Sequence, residues 1–194
     1  MKLENYHFQG EETIVDTDFG EIPSPVKGVG GNVTHEDGTI HSRAPKGEAT
    51  SWYVDTPISR KSRISFRMKL GEQINGENHP AVHINMLQQV DPVHQRIVVM
   101  MDEKWGVGYF WNGENKDGDG HISEKNLELE RWYRIDLVLN ESTILIFVDG
   151  SRLGSAPLNS DLPGWGTFVM ECHNEIWIDD LRIVNYGSYQ IEKK

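Results

Sequence analysis

The chain has 194 residues, enough for one domain at the large end for an all-β sandwich. Only 37% of its residues are apolar and its formal net charge is −11, which excludes a basic surface built for nucleic acid. No window approaches the roughly 18–20 continuous apolar residues of a membrane span, and the single cysteine, Cys172, excludes an intramolecular disulfide framework.

The opening residues, MKLENYHFQGEET, contain no apolar h-region of a signal peptide. Residues 14–19, IVDTDF, form the first strand-like run. A Gly/Pro-rich stretch over 23–31 and a tight turn, HEDG, lead to DGTIHS. Ile64, Phe66 and Met68 then alternate with Arg63, Ser65, Arg67 and Lys69, a period of two that predicts a strand with one buried face. A polar loop is expected over 71–80. Val82, Ile84 and Met86 alternate with His83, Asn85 and Leu87, and the apolar run over 96–101 fits a central strand. Trp105, Val107, Tyr109 and Trp111 alternate with Gly106, Gly108 and Phe110. Residues 112–125 are expected to be the longest polar loop. Ile135, Leu137 and Leu139 alternate with Arg134, Asp136 and Val138; a turn over 140–143 and a strand over 144–148 complete a hairpin ending at Asp149-Gly150. Two further strands are expected at 167–172 and 175–184. No stretch of eleven or more residues carries a capped helical pattern. These elements predict a two-sheet antiparallel β-sandwich occupying residues 1–194 as one domain.

The order of motifs in the last third is the most specific signal. WYRIDLVLN, a hairpin, IFVDG, and a closing WIDDLRI strand resemble the C-terminal half of a concanavalin A-like (laminin G-like) jelly roll. The entry segment IVDTDF followed by DGTIHS resembles the start of the same fold. The resemblance implies carbohydrate binding on a concave sheet face, as in a lectin-like protein or a carbohydrate-binding module. It leaves open a polysaccharide lyase or glycoside hydrolase on the same face, and a laminin G-like protein-binding adhesion module. It also implies a secreted or cell-surface bacterial protein, with a cytoplasmic location open because no signal peptide is visible.

Sugar rings stack their C–H faces on aromatic rings and need polar partners for their hydroxyls. His83 and Asn85 alternate with apolar neighbours and are expected to line a cleft, with Arg67 and Arg134 projecting away from their own core neighbours. Trp105, Tyr109 and Trp111 share one parity, which makes them either an aromatic sugar platform or a core-facing row. The hydrolases of this fold carry Glu-x-Asp-x-x-Glu on one strand, and this chain has no such motif. A lyase would need a cation or amide to neutralise a uronate and a His or Tyr to take the proton. Arg67, Asn85, His83 and Tyr109 have that chemistry.

Two segments are candidate Ca²⁺ sites, each beside a plain alternative: aspartates that end a strand and bond backbone amides, or a solvated Asp-Gly turn. The resemblance to laminarinase- and lichenase-like jelly rolls implies a structural ion held by an Asp of the last strand, here Asp179 beside Asp180, with Asp18 near the N-terminus. Independently, Asn115, Asp117 and Asp119 fall at positions one, three and five of an EF-hand-like loop, but position twelve is Asn126 instead of Glu. Cys172, within an apolar run, is expected to be a buried, inert thiol.

Overall fold

The computed structural model describes residues 2–74, 79–89, 95–113, 117–124 and 126–192. After a 3-10 turn at Leu3–Asn5 come β1 (Tyr6–Gln9), β2 (Glu12–Thr17), β3 (Val26–Lys27), β4 (Val33–Glu36), β5 (Thr39–Arg43) and β6 (Thr50–Ser59). The middle of the chain forms β7 (Ser62–Leu70), β8 (Ala81–Gln89), β9 (Gln95–Asp102), β10 (Gly106–Asn112) and β11 (Asp117–Ser123). The rest forms β12 (Trp132–Asn140), β13 (Thr143–Val148), β14 (Ser151–Pro157), β15 (Trp165–His173), β16 (Glu175–Asn185) and β17 (Ser188–Ile191).

The strands build two antiparallel sheets packed face to face. One has seven strands in the order β11-β10-β9-β8-β15-β6-β3. The other has eight: β14-β13-β12-β7-β16-β5-β4, with β2 also pairing β16. The period-two residues meet between the sheets. Ile64, Phe66 and Met68 of β7 and Ile135, Leu137 and Leu139 of β12 come from the eight-stranded sheet. Val82, Ile84 and Met86 of β8 and Phe168, Met170 and Cys172 of β15 come from the other, and all twelve are fully buried. Trp52 lies in this core between Phe19 and Phe168, edge-on to both rings.

The expected loop over 112–125 contains a strand. β11 pairs with β10 in a register that sets Gly118 opposite Trp111 and Gly120 opposite Tyr109. A Cβ on Gly118 would stand 2.8 Å from the Trp111 ring, and one on Gly120 would stand 2.5 Å from the Tyr109 hydroxyl. The alternate glycines of DGDG therefore make room for two inward-facing rings. This need accounts for glycine at the alternate positions of that segment.

The two ends of the chain form a separate ribbon, β1 paired with β17. It covers an apolar patch on the outer face of the eight-stranded sheet, where Val138, Leu145 and Phe147 pack against Tyr6, Phe8, Tyr186 and Tyr189. Tyr6 meets Phe147 edge-on at 5.6 Å, and the Tyr186 hydroxyl donates to the Leu139 carbonyl at 2.5 Å. Deleting residues 188–194 removes the partner of β1 and uncovers this patch. The expected result is a melting temperature lower by about 4–8 °C, the shift for a loss of about 2 kcal/mol in a domain of this size, with new binding of a hydrophobic dye.

Candidate functional site on the seven-stranded sheet

The outer face of the seven-stranded sheet carries the residues that alternate with the core. Cross-strand register arranges them in rows. One row runs Tyr53, Val169, Asn85, Val98, Phe110, Asp119, and the next runs Ser51, Glu171, His83, Met100, Gly108, His121. Every step in both rows is a cross-strand pair, so side chains five strands apart share one surface.

At the centre, three side chains converge. His83 on β8 stands opposite Glu171 on β15, and His173 lies two residues beyond Glu171 on the same strand and face. His173 Nε2 lies 2.9 Å from Glu171 Oε1, His83 Nδ1 lies 3.3 Å from the same oxygen, and the two ring nitrogens are 3.3 Å apart. The imidazoles are tilted with centroids 4.4 Å apart. Hydrogen bonds from His173 and then His83 hold the Glu171 carboxyl far below the usual carboxylate range, against the opposing effect of burial. Cys172, between them in sequence, points into the core, where burial pushes its thiol up to about 12. The inert-thiol expectation and the exposure of Glu171 and His173 are thus two sides of one alternation.

Beside this trio, Asn85 is buried against the sheet and its Oδ1 accepts from Arg96 Nη1 at 2.9 Å. The Arg96 guanidinium lies over the Phe110 ring at 5.3 Å, and Phe110 meets the edge of His83 at 6.4 Å. Tyr53, 41% exposed, stands at the other end of the row. Imidazoles, carboxylate, guanidinium and two aromatic rings are therefore held by rigid strands on one face.

Several expected site residues lie elsewhere. His83 and Asn85 occupy the outer face as their alternation predicts. Arg67 and Arg134 also point away from the core, but they are cross-strand partners on the eight-stranded sheet, on the opposite side of the sandwich. Tyr109 and Trp111 face inward, Trp111 being 7% exposed, because the glycines of β11 accept their rings. Trp105 precedes β10 and is 66% exposed, outside the shared row. The three aromatics therefore form no common platform, and Phe110, from the opposite parity, faces outward. The site residues that were not anticipated are Glu171, His173, Arg96, Phe110 and Tyr53. The alternation Phe168, Met170, Cys172 was the available signal for the first two.

The expected calcium sites meet different fates. Asn115 lies outside the described residues. Asp117 and Asp119 sit on β11, an extended strand that sets alternate residues about 6.6 Å apart along one face, so they do not wrap around a point as an EF-hand loop does. On β16, Asp179 stands directly opposite Arg67, whose Nη1 lies 3.3 Å from Asp179 Oδ2 and 3.7 Å from Asp180 Oδ2. Asp179 Oδ1 accepts from the Asp180 N–H at 2.7 Å, and Asp18 Oδ1 accepts from the Gly20 N–H at 3.0 Å. The Phe19 carbonyl is engaged by His35 Nε2. These oxygens have guanidinium, amide and imidazole partners in the structure, and Asp18 lies near enough to Asp179 for the two carboxylates to repel one another.

Burial foremost, then the Asp180 and Asp18 carboxylates, pushes the Asp179 carboxyl up, while the Asp180 N–H and Arg67 pull it down. A raised carboxyl costs stability once ionised, so stability gained by its protonation is lost as pH rises through its range. Asp179→Asn is therefore expected to leave the melting temperature at pH 7 unchanged or raise it by up to about 3 °C. Thermal denaturation with and without millimolar Ca²⁺ tests the expected ion: a rise in the wild type that is lost in Asp179→Asn places it at Asp179, and no rise in either removes it.

No protein-family model matches the sequence, and no curated protein matches it in sequence. Solved structures match it in shape. The β-glucanase of Bacillus licheniformis superposes with a TM-score of 0.64 at 10% identity, covering 93% of this chain and 100% of that one. The κ-carrageenase of Pseudoalteromonas carrageenovora, solved with a κ-carrageenan oligotetrasaccharide, gives 0.63 at 8% identity, covering 92% and 96%. The carbohydrate-binding module CBM66 of Bacillus subtilis gives 0.59 at 11% identity, covering 90% and 95%. The chain has a concanavalin A-like jelly-roll fold.

Proposed function

We propose that the outer face of the seven-stranded sheet binds a carbohydrate. The observation that carries this reading is the convergence of His83, Glu171, His173, Arg96 and Phe110 on one rigid, partly exposed surface. Phe110 and Tyr53 offer rings for C–H stacking. The imidazoles, carboxylate and guanidinium offer donors and acceptors for hydroxyls or for an acidic sugar. The shape match to a carbohydrate-binding module, a β-glucanase and a carrageenase supports a glycan over the adhesion-module alternative. Secretion or surface display accords with such a ligand.

Affinity electrophoresis through gels of neutral and acidic polysaccharides tests the reading. The wild-type protein should be retarded in at least one gel. Phe110→Ala should weaken that binding about tenfold, equivalent to about 1.4 kcal/mol. No retardation in any gel, or retardation of both Phe110→Ala and Tyr53→Ala equal to that of the wild type, would overturn it.

A second reading, polysaccharide cleavage at the same face, is favoured by one observation: a single carboxylate oxygen contacts both imidazoles, which is how an acid–base His is oriented. Tyr109 and Arg67 have no part in it, since one faces the core and the other the opposite sheet. Release of reducing ends or unsaturated product by the wild type, lost in His83→Gln, would select this reading over binding alone.

A further inference from the structure

The same three side chains suit a different ligand from a sugar. We infer that His83 Nδ1, His173 Nε2 and a Glu171 carboxylate oxygen form a three-ligand Zn²⁺ site with an open fourth position. The inference does not depend on which glycan, if any, the face binds.

Zn²⁺ bonds imidazole nitrogen and carboxylate oxygen at about 2.0–2.2 Å, so tetrahedral ligand atoms lie about 3.3 Å from one another. The three atoms here are separated by 2.9, 3.3 and 3.3 Å. An ion above the centre of that triangle lies within bonding distance of all three atoms. Among the described residues these three form the one group of His, Cys, Asp or Glu side chains whose ligand atoms lie so close together. Their register supports it. One ligand comes from β8 and two from successive outward positions of β15, so main-chain hydrogen bonding of the sheet presets the spacing.

Ligand chemistry narrows the metal. Two imidazoles and one carboxylate suit Zn²⁺ and Fe²⁺, whereas Ca²⁺ and Mg²⁺ prefer all-oxygen shells, and Zn²⁺ is the one of the two that holds such a set with a single open position. Exposure selects the type of site. The three side chains are 25%, 21% and 30% exposed for His83, His173 and Glu171, so solvent or a ligand hydroxyl can reach the remaining position. Three protein ligands with one open position is the pattern of Zn²⁺ sites that bind an exogenous oxygen.

The test uses the whole protein, stripped with chelator and dialysed, without carbohydrate. Zn²⁺ is titrated calorimetrically, with Ca²⁺ and Mg²⁺ as comparisons. Co²⁺ is titrated while the visible d–d bands of a tetrahedral site are followed. The expected result is one Zn²⁺ per chain, no comparable binding of Ca²⁺ or Mg²⁺, and intense Co²⁺ bands. His83→Gln, Glu171→Gln and His173→Gln should each lower Zn²⁺ affinity at least about 100-fold, since loss of an outer-shell partner alone costs about 10–100-fold. His121→Gln, on the same face but outside the trio, should bind as the wild type does. Folding of each variant is checked by circular dichroism. Zn²⁺ should raise the melting temperature of the wild type and of His121→Gln, but not of Glu171→Gln. Wild-type affinity weaker than about 100 µM, or affinity retained in folded trio variants, would overturn the site. If a trio variant does not fold, the wild-type stoichiometry and Co²⁺ spectrum decide, and featureless Co²⁺ absorption counts against it.

Discussion

Gly166→Ala is expected to destabilise the protein by about 3 kcal/mol, the upper end of ordinary overpacking costs, lowering the melting temperature by about 6–12 °C. Gly166 is in β15 where it crosses the bulge of β8. There Leu87 takes a φ of 56° and is fully buried, and both strands shift register. A Cβ on Gly166 would lie 2.3 Å from the Leu87 carbonyl carbon, 2.6 Å from its oxygen and 2.7 Å from the Gln88 nitrogen. These are backbone atoms of a paired strand, so no side-chain rotation relieves the contact. The two strands must separate, and they are the strands that carry His83, Glu171 and His173. Both thermal stability and any ligand affinity of the outer face should fall together. Urea unfolding measures the first. A variant that melts within about 1 °C of the wild type would show that the bulge yields without cost.

Trp52→Ala should cost about 3–5 kcal/mol, the range for truncating a fully buried aromatic residue. Its indole lies edge-on to Phe19 at 6.3 Å and to Phe168 at 6.1 Å, at the junction of the entry segment with both sheets. Removing it leaves a cavity that rigid strands on both sides cannot close. Trp52→Phe should cost much less. It keeps most of the packing and removes an indole N–H that is buried without a hydrogen-bond partner among the described residues. Denaturant midpoints of the two variants should therefore differ clearly. Equal losses would mean that the indole N–H, and not ring volume, supports the position.

Much of the architecture was legible because a strand buried on one face must alternate. Ile64–Phe66–Met68, Val82–Ile84–Met86 and Ile135–Leu137–Leu139 each declared a core face, and each is fully buried. The closing motifs marked the jelly roll correctly. The DGDG segment was not legible as a strand. Asp-Gly pairs usually signal turns, and only the facing rings of Tyr109 and Trp111 give its glycines a place inside a sheet. The same blindness left the aromatics undecided between a sugar platform and the core. Parity in β10 sorts Trp111 from Phe110, but only the glycines of the neighbouring strand decide that the larger ring goes inward.

The site shows the limit of one-dimensional reasoning. Alternation placed His83 and Asn85 outside the core, and it placed Arg67 and Arg134 outside as well. It could not say that these pairs lie on opposite sides of the sandwich. Nor could it join His83 to Glu171 and His173, about ninety residues further on. Sheet membership depends on which strands pair, and pairing is set by long-range hydrogen bonding that a local period does not encode.

By itself, then, the sequence determined the class of fold, the inward face of most strands and the acidic, turn-rich character of the surface, because these follow from local periodicity and composition. The tertiary structure alone decided that β8 lies beside β15 with His83 opposite Glu171. It also decided that Arg67 lies against Asp179, and that the rings of β10 are buried over glycine. Each of these depends on the register between strands distant in the chain, and register is fixed only when both sheets close on a common core.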